Sequence, residues 1–158
     1  MSGPEHPDTL TVRASFANWT GRAGDAAAAR DMLAALLPVF ERVSGPEHPD
    51  ILTVRANLAG WTGEAGDAAA ARDQTVRLLP VRERVSGPEH PHTLTDRHDL
   101  ARWTGEAGDA AAARDLLAGL LPVFERILGP EHPDTLTARA SLASWTKRAR
   151  RARWRVKK

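Results

Sequence analysis

The stretch Gly3-Pro4-Glu5-His6-Pro7 returns unchanged at residues 45–49, 87–91 and 129–133, a period of 42 residues. A tryptophan and a Gly-Asp pair followed by four alanines keep the same spacing; the tryptophans are Trp19, Trp61, Trp103 and Trp145. A fixed period of this length is the signature of a repeat architecture, in which each unit packs on its neighbours. The chain therefore divides into full units at 3–44, 45–86 and 87–128, a partial unit at 129–146 and a tail at 147–158.

Each unit predicts two helices. The first spans about residues 8–21 and has two apolar stripes, which predicts burial on two sides; the stripes are Val12, Phe16, Trp19 and Ala23, and Leu10, Ala14 and Ala17. The second spans about residues 26–43, with Asp25 as its N-cap and a proline inside, Pro38, at which we expect a kink. No stretch of the sequence has the pattern of a strand. The predicted fold is an all-α, right-handed solenoid of about seven helices.

The unit that begins at Gly45 carries a specific resemblance. Its motifs are His48-Pro49-Asp50 at the start, Asn57-Leu58-Ala59 in the first helix and Ala65-Gly66 before the second. These motifs resemble the 42-residue, kinesin-light-chain-like tetratricopeptide repeat (TPR) found in bacterial arrays. The resemblance covers residues 3–146, with two departures: Thr20 replaces the usual Tyr, and the fourth unit lacks a second helix. It implies a non-catalytic scaffold for protein partners, and a piece of a larger signalling or regulatory TPR protein as one origin.

Variation between the units predicts where a partner binds. In the resembling family the first helices line a concave groove, and here those helices keep their packing residues while three other positions change in polarity. Neutral drift at solvated positions is the alternative explanation. The predicted peptide-binding residues are Asn18, Asn57, His98, Asp99, Arg102, Ser141 and Ser144. An arginine that never changes (Arg13, Arg55, Arg97 and Arg139) predicts a repeated structural salt bridge instead.

The sequence offers little for catalysis, metals or cofactors. With no cysteine, a thiolate nucleophile and a cysteine-ligated zinc site are excluded. The glycine-rich turns lack the strand and the Gly-Lys-Ser/Thr of a phosphate-binding loop, and we expect the four turn histidines, from His6 to His132, to pack in their turns. His92 and Asp96, at i and i+4, have a spacing compatible with a metal, although surface variation is the simpler explanation. We expect no enzyme activity and no cofactor.

Charge is concentrated at the C-terminus. Residues 147–158 hold 8 of the 22 basic residues and no acid, which leaves residues 1–146 with a net charge of −6. One interpretation of this tail is a solvating helical cap, and a second is binding to nucleic acid or an anionic surface. A third is a shifted-frame translation of the repeat, which CGT or CGA codons would exclude. The cations concerned include Lys147, Arg148, Arg150, Arg151, Arg153 and Arg155.

Two further expectations concern assembly and location. The fourth unit has no second helix, so we expect Leu142 and Trp145 to be poorly covered and the chain to self-associate through its C-terminal helix. No apolar run approaches the roughly 18–20 residues that span a bilayer. Because the first seven residues also lack the features of a secretory signal, a soluble, cytoplasmic protein is expected.

Overall fold

The computed structural model describes residues 3–156, which form seven α helices and no strand. Three hairpins follow one another, and a single long helix ends the described chain. The helices are α1 (Pro7–Arg22), α2 (Ala26–Ser44), α3 (Pro49–Glu64), α4 (Ala68–Ser86), α5 (Pro91–Glu106), α6 (Ala110–Leu128) and α7 (Pro133–Val156). The prediction of an all-α solenoid of helical hairpins is confirmed.

Polar caps and glycines set the ends of these helices. Asp25 Oδ1 accepts a hydrogen bond from the backbone N–H of Ala28 at 2.9 Å, as predicted. The turn histidines are also N-caps, a role that the sequence did not reveal: His48 Nδ1 accepts from the N–H of Asp50 at 3.3 Å, and His6, His90 and His132 act alike. Gly66, between α3 and α4, has a φ of 105°, which suits glycine alone. The second helices continue unbroken through their internal prolines.

Each helix packs mainly on the helices before and after it, and the core runs along the array. In the first unit Leu10, Ala14 and Ala17 of α1 meet Leu33 and Phe40 of α2. The same arrangement recurs further on, in clusters around Leu94 and around Leu117. Within residues 3–156, extensive contact is confined to successive helices, and adjacent first helices meet at only a few residues, so the stability of the chain rests on neighbouring junctions.

At each junction a glycine packs directly against the tryptophan of the next unit. A Cβ atom on Gly21 of α1 would lie 2.7 Å from the ring of Trp61 in α3. The same Cβ on Gly63 would lie 2.4 Å from Trp103, and the third pair is Gly105 with Trp145. Since no side chain fits at these distances, the glycine is what lets successive first helices approach one another.

The two predicted apolar stripes of the first helix differ in burial. The stripe with Leu10 is buried in α1, as expected. The other stripe is exposed in α1, where Phe16 is 63% and Trp19 is 65% accessible. In the later first helices residues of the equivalent stripe are buried, such as Val54 in α3 and Trp103 in α5. The prediction of burial on two sides is therefore wrong for α1. The reason is that each later first helix is covered by the hairpin before it, and no hairpin precedes α1 in the described chain.

Three of the four invariant arginines form the salt bridge that was predicted, whereas Arg13 of α1, which no hairpin precedes in the described chain, forms none within residues 3–156. Arg55 Nη2 lies 2.6 Å from Glu41 Oε1, on the second helix of the preceding unit. Arg97 with Glu83, at 2.7 Å, and Arg139 with Glu125, at 2.8 Å, repeat the pair. Because these bridges are partly exposed to solvent, each is expected to add less than about 1 kcal/mol to stability.

Candidate partner-binding groove

A groove of about 460 Å³ runs across the first helices of units one to three. Three of the predicted residues line it, one from each unit: Asn18, Asn57 and Asp99. The other lining residues come mostly from the same helices, and they are Arg22, Thr53, Ala56, Gly60, Trp61, Glu64, Arg82, His92, Thr95 and Asp96. These three variable polar residues thus share one surface.

The remaining predicted residues lie around a second, smaller cavity. It has a volume of about 210 Å³ between α5 and α7, and it is lined by His98, Arg102, Glu106, Leu117, Ser141, Ser144, Trp145 and Arg148. His98 Nε2 lies 3.1 Å from Ser141 Oγ, which ties the two helices together. The seven predicted residues therefore divide into two groups along the array.

Asn18 has a partner within the chain. Its Oδ1 accepts a hydrogen bond from Trp61 Nε1 at 2.8 Å, which holds the indole against Gly21. One unit later Gly60 stands in the register of Asn18, and Trp103 Nε1 is buried with no acceptor among the described residues. Trp61 was not predicted as a groove residue; its spacing of 43 residues from Asn18 recurs between His98 and Ser141, but only the packed structure makes that spacing known.

Salt bridges stacked on tryptophans form a rim along the groove. Arg102 Nη2 lies 2.6 Å from Glu64 Oε1, and the Arg102 guanidinium stands 4.3 Å from the ring centroid of Trp103. Arg148 repeats this one unit later, 3.0 Å from Glu106 and 4.1 Å above Trp145. A cation held over an indole is stabilised by the negative face of the ring. Arg102, a predicted partner contact, is thus also a structural group.

Asp96, the metal candidate, forms a buried ion pair. Arg82 Nε donates to Asp96 Oδ2 at 2.8 Å, and Arg82 Nη2 donates to the carbonyl of Leu52 at 2.9 Å. Both side chains are almost fully buried, so Asp96 is not surface variation. Burial raises the pKa of the Asp96 carboxyl, against the lowering effect of its hydrogen bond with Arg82.

His92, the other metal candidate, is exposed to solvent. Within residues 3–156 no three His, Cys, Asp or Glu residues are close enough together to hold a metal ion. The ion pair with Arg82 at the junction of units two and three accounts for Asp96, and His92 has no part in that pair.

Comparison with known proteins identifies the family. Tetratricopeptide repeat profiles match residues 16–75 and residues 93–134, which together make up more than half of the chain. The chain is a tetratricopeptide repeat protein. Among curated proteins no sequence matches it. A TPR array is in general a non-catalytic scaffold for protein–protein interaction.

Solved TPR structures share the fold. The nearly identical TPR-like repeats of a protein described as a kinesin light chain from Podosopora anserina match with a TM-score of 0.76, and a variant of the same repeats matches with 0.78. Each is 24% identical over 98% of this chain and 73% of its own. BtubC (BKLC) from P. vanneervenii has a TM-score of 0.70 at 15% identity, over 94% of this chain and 65% of its own. At these identities the likeness concerns the fold alone.

The basic tail extends the last helix of the TPR array. Helix α7 runs without a break to Val156, and Ala149 is buried while Ala152 is exposed. Arg148 is engaged with Glu106. The other cations of the tail have no carboxylate within 4 Å among the described residues; they are Lys147, Arg150, Arg151, Arg153 and Arg155. Lys157 and Lys158 lie outside the described residues.

The exposed apolar surface of α7 is not the one that the sequence predicted. Trp145 is only 5% accessible, because it packs on Gly105 and beneath Arg148, and Leu142 is half-buried beside it. The prediction that these two residues are poorly covered is therefore wrong. Among the α7 side chains that the structure describes, Leu136 and Trp154 are the large apolar ones that are exposed. None of the helices in residues 3–156 combines the length and the apolar character needed to cross a bilayer.

Proposed function

We propose that this TPR array binds an extended peptide segment of a partner protein along its first helices. The observation that supports this most is the groove of about 460 Å³, whose walls hold one variable polar residue from each of three units: Asn18, Asn57 and Asp99. Residues that only serve packing have the same task in every unit, whereas residues that contact a peptide meet a different part of it. The cavity between α5 and α7 brings Ser141 and Ser144 together with His98 and Arg102, further along the array of first helices.

The groove offers both hydrogen bonds and charge to a peptide. The Asn57 amide makes no side-chain hydrogen bond within residues 3–156, so it can donate to and accept from one peptide group. Asp99 is half-exposed, and among the described residues its one basic partner within 4 Å is His98 Nδ1, at 3.9 Å. A basic side chain of the partner therefore suits the third unit, where it would meet a carboxylate that lacks a strong partner.

Peptide selection tests this proposal. Peptides displayed on phage are selected against the whole chain, and their affinities are then measured by fluorescence polarisation. Asn57→Ala/Asp99→Ala is expected to weaken the selected peptides about tenfold, which corresponds to about 1.4 kcal/mol. Asp73→Ala/Asp115→Ala is the matched control, because both aspartates lie exposed on second helices, outside the groove. Peptides that bind the groove variant as tightly as the parent would refute the proposal.

A second candidate function is the binding of nucleic acid or another anionic surface by residues 147–158. The specific observation in its favour is the set of tail cations that have no carboxylate partner in the described chain. Affinity based on phosphate contacts falls steeply as salt rises. A pull-down with residues 1–158 and with residues 1–146, each with and without nuclease, separates the two candidates. A partner that binds only residues 1–158, and that is lost on nuclease treatment and at high salt, would support nucleic-acid binding. A partner that residues 1–146 also bind would favour the groove.

The setting of the array is also a proposal. The resemblance to bacterial TPR arrays supports a cytoplasmic scaffold that forms part of a larger signalling or regulatory protein. The genomic sequence on both sides of the coding region tests this. An adjoining nucleotide-binding domain in the same reading frame would support it, and stop codons on both sides would contradict it.

A further inference from the structure

Helix α7 leaves open a face that the other first helices bury. In unit three, Leu94 and Ala101 of α5 are fully buried against α6 and α7. Their counterparts on α7 are Leu136, which is 43% accessible, and Ala143, which is exposed. We call this surface the open face of α7, and it consists of Leu136, Ala143, Lys147, Arg150, Arg151 and Trp154.

The open face combines an apolar stripe with unpaired cations. Leu136, Ala143 and Trp154 recur at helical spacing along one side of α7, and Trp154 is 76% accessible. Lys147, Arg150 and Arg151 flank the second half of this stripe and share a shallow groove with Trp154. In the part of the chain that the structure describes, no carboxylate lies within 4 Å of these three side chains.

A further unit of the repeat does not fit on this face. In the first three units a glycine receives the tryptophan of the next unit, at a distance that leaves no room for a Cβ atom. Lys147 occupies that register in α7. A second copy is also a poor occupant, because pairing two open faces brings their cations together. Charge repulsion therefore opposes self-association through the open face of α7.

We propose that the open face of α7 binds an acidic amphipathic helix of a partner protein. The three complete hairpins establish that a helix with an apolar stripe fits this side of a first helix; in unit three its stripe is Ala113, Leu117, Leu120 and Phe124. Glutamates beside such a stripe would pair with Lys147, Arg150 and Arg151. Nucleic acid accounts for the cations and for stacking on Trp154, but it leaves the apolar residues from Leu136 to Ala143 uncovered.

Binding of a defined helical probe tests the proposal. The probe is a labelled synthetic peptide with the sequence of residues 110–128 in which glutamate replaces Arg114, Arg126 and the exposed positions 116, 118 and 119. A control peptide has lysine at the same positions and the same apolar stripe. Both are titrated with the whole chain by fluorescence polarisation, and a random DNA duplex is titrated in parallel.

Three variants locate the contact. Arg151→Glu reverses one charge on the open face and is expected to weaken the acidic probe at least about fivefold. Arg153→Glu is the matched control, because the same charge is reversed at an exposed position outside the shallow groove, and it should change the affinity less than about twofold. Trp154→Ala should weaken the probe several-fold through lost apolar contact. Circular dichroism at 222 nm verifies that all three variants remain helical.

Each result decides for or against the proposal. Tight binding of the acidic probe, with loss confined to the open-face variants, supports it. Equal binding of the lysine control, or equal loss in Arg153→Glu, would mean diffuse attraction and would overturn it. Tighter binding of the DNA duplex than of the acidic probe would assign the tail to nucleic acid. Self-association of the chain that is abolished by Trp154→Ala would assign the face to a second copy.

Discussion

At the scale of single residues, one junction of the array differs from the others. Arg82 stands where units one and three have Phe40 and Phe124, and Asp96 stands where the first two units have a valine. The two replacements meet each other in a buried ion pair. Because the desolvation of both charges offsets their attraction, such a pair adds little to the stability of the junction as long as both partners are present.

Breaking and replacing this pair should have opposite effects. Asp96→Val alone leaves the Arg82 guanidinium buried and unpaired, and we expect it to lower the free energy of unfolding by about 3–5 kcal/mol. Arg82→Phe/Asp96→Val recreates the apolar junction of the first two units and should be neutral or stabilising by about 1–4 kcal/mol. Urea unfolding followed by circular dichroism measures both. A double variant as unstable as the single one would contradict this explanation.

The same pair predicts a dependence on pH. Burial raises the pKa of Asp96 in the folded state. At pH values between the ordinary carboxyl pKa and the raised one, the folded state therefore keeps a proton that the unfolded state has lost. The contribution of Asp96 to stability is therefore greatest below this window and falls as pH rises through it. Relative to the parent, the stability of Arg82→Phe/Asp96→Val should rise over that range, as thermal unfolding at several pH values can measure. A difference that is constant with pH would contradict the prediction.

The sequence identified Asp96 as unusual but could not identify its partner. Comparison of the units shows that an aspartate occupies this position only in unit three. The i, i+4 spacing then suggested His92, on the same helix, as its partner in a metal site. The actual partner lies 14 residues earlier, on the preceding second helix. That separation also joins Glu41 to Arg55, so it is a constant of the fold, but only the packed structure makes it known.

At the scale of helices, two glycines of α3 provide a matched comparison. A Cβ on Gly63 would stand 2.4 Å from Trp103, whereas a Cβ on Gly60 would meet nothing within 4 Å. Gly63→Ala should therefore destabilise the chain by about 1–3 kcal/mol through overpacking. Gly60→Ala should stabilise it by up to about 1 kcal/mol, since alanine favours a helix more than glycine does. Equal effects of the two substitutions on urea unfolding would refute the proposed junction.

Helix positions were more predictable than helix surroundings. The predicted bounds of α1 and α2 lie within about one residue of those observed, because proline, aspartate and glycine act through local backbone geometry that recurs in every unit. Burial depends on neighbours instead. Phe16 and Trp103 belong to equivalent stripes, and only the presence of a preceding hairpin makes one exposed and the other buried.

At the scale of the whole molecule, the array behaves as a chain of nearest neighbours. Throughout the described residues, extensive contact joins successive helices, with a few contacts between adjacent first helices and none of note between distant units. The stability of such an array is approximately a sum over units and junctions. The periodic sequence makes the middle of the array predictable, because each middle helix has the same neighbours in every unit. The exposed stripe of α1 and the open face of α7 lack one of those neighbours in the described chain, so the repeat does not predict their exposure. Those ends were consequently the parts of the molecule that the sequence predicted least well.

This arrangement predicts a local effect of truncation. A chain that ends at Ala149 retains the buried Ala149 methyl group and the Arg148 contacts with Glu106 and Trp145, so its stability should remain close to that of the full chain. A chain that ends at Thr146 loses both, at an expected cost of about 1–2 kcal/mol. Amide hydrogen exchange should then report weaker protection in α6 and α7 and unchanged protection in α1 to α4, because coupling passes only between neighbours. Loss of protection spread evenly over all seven helices would mean that the array unfolds as one cooperative block.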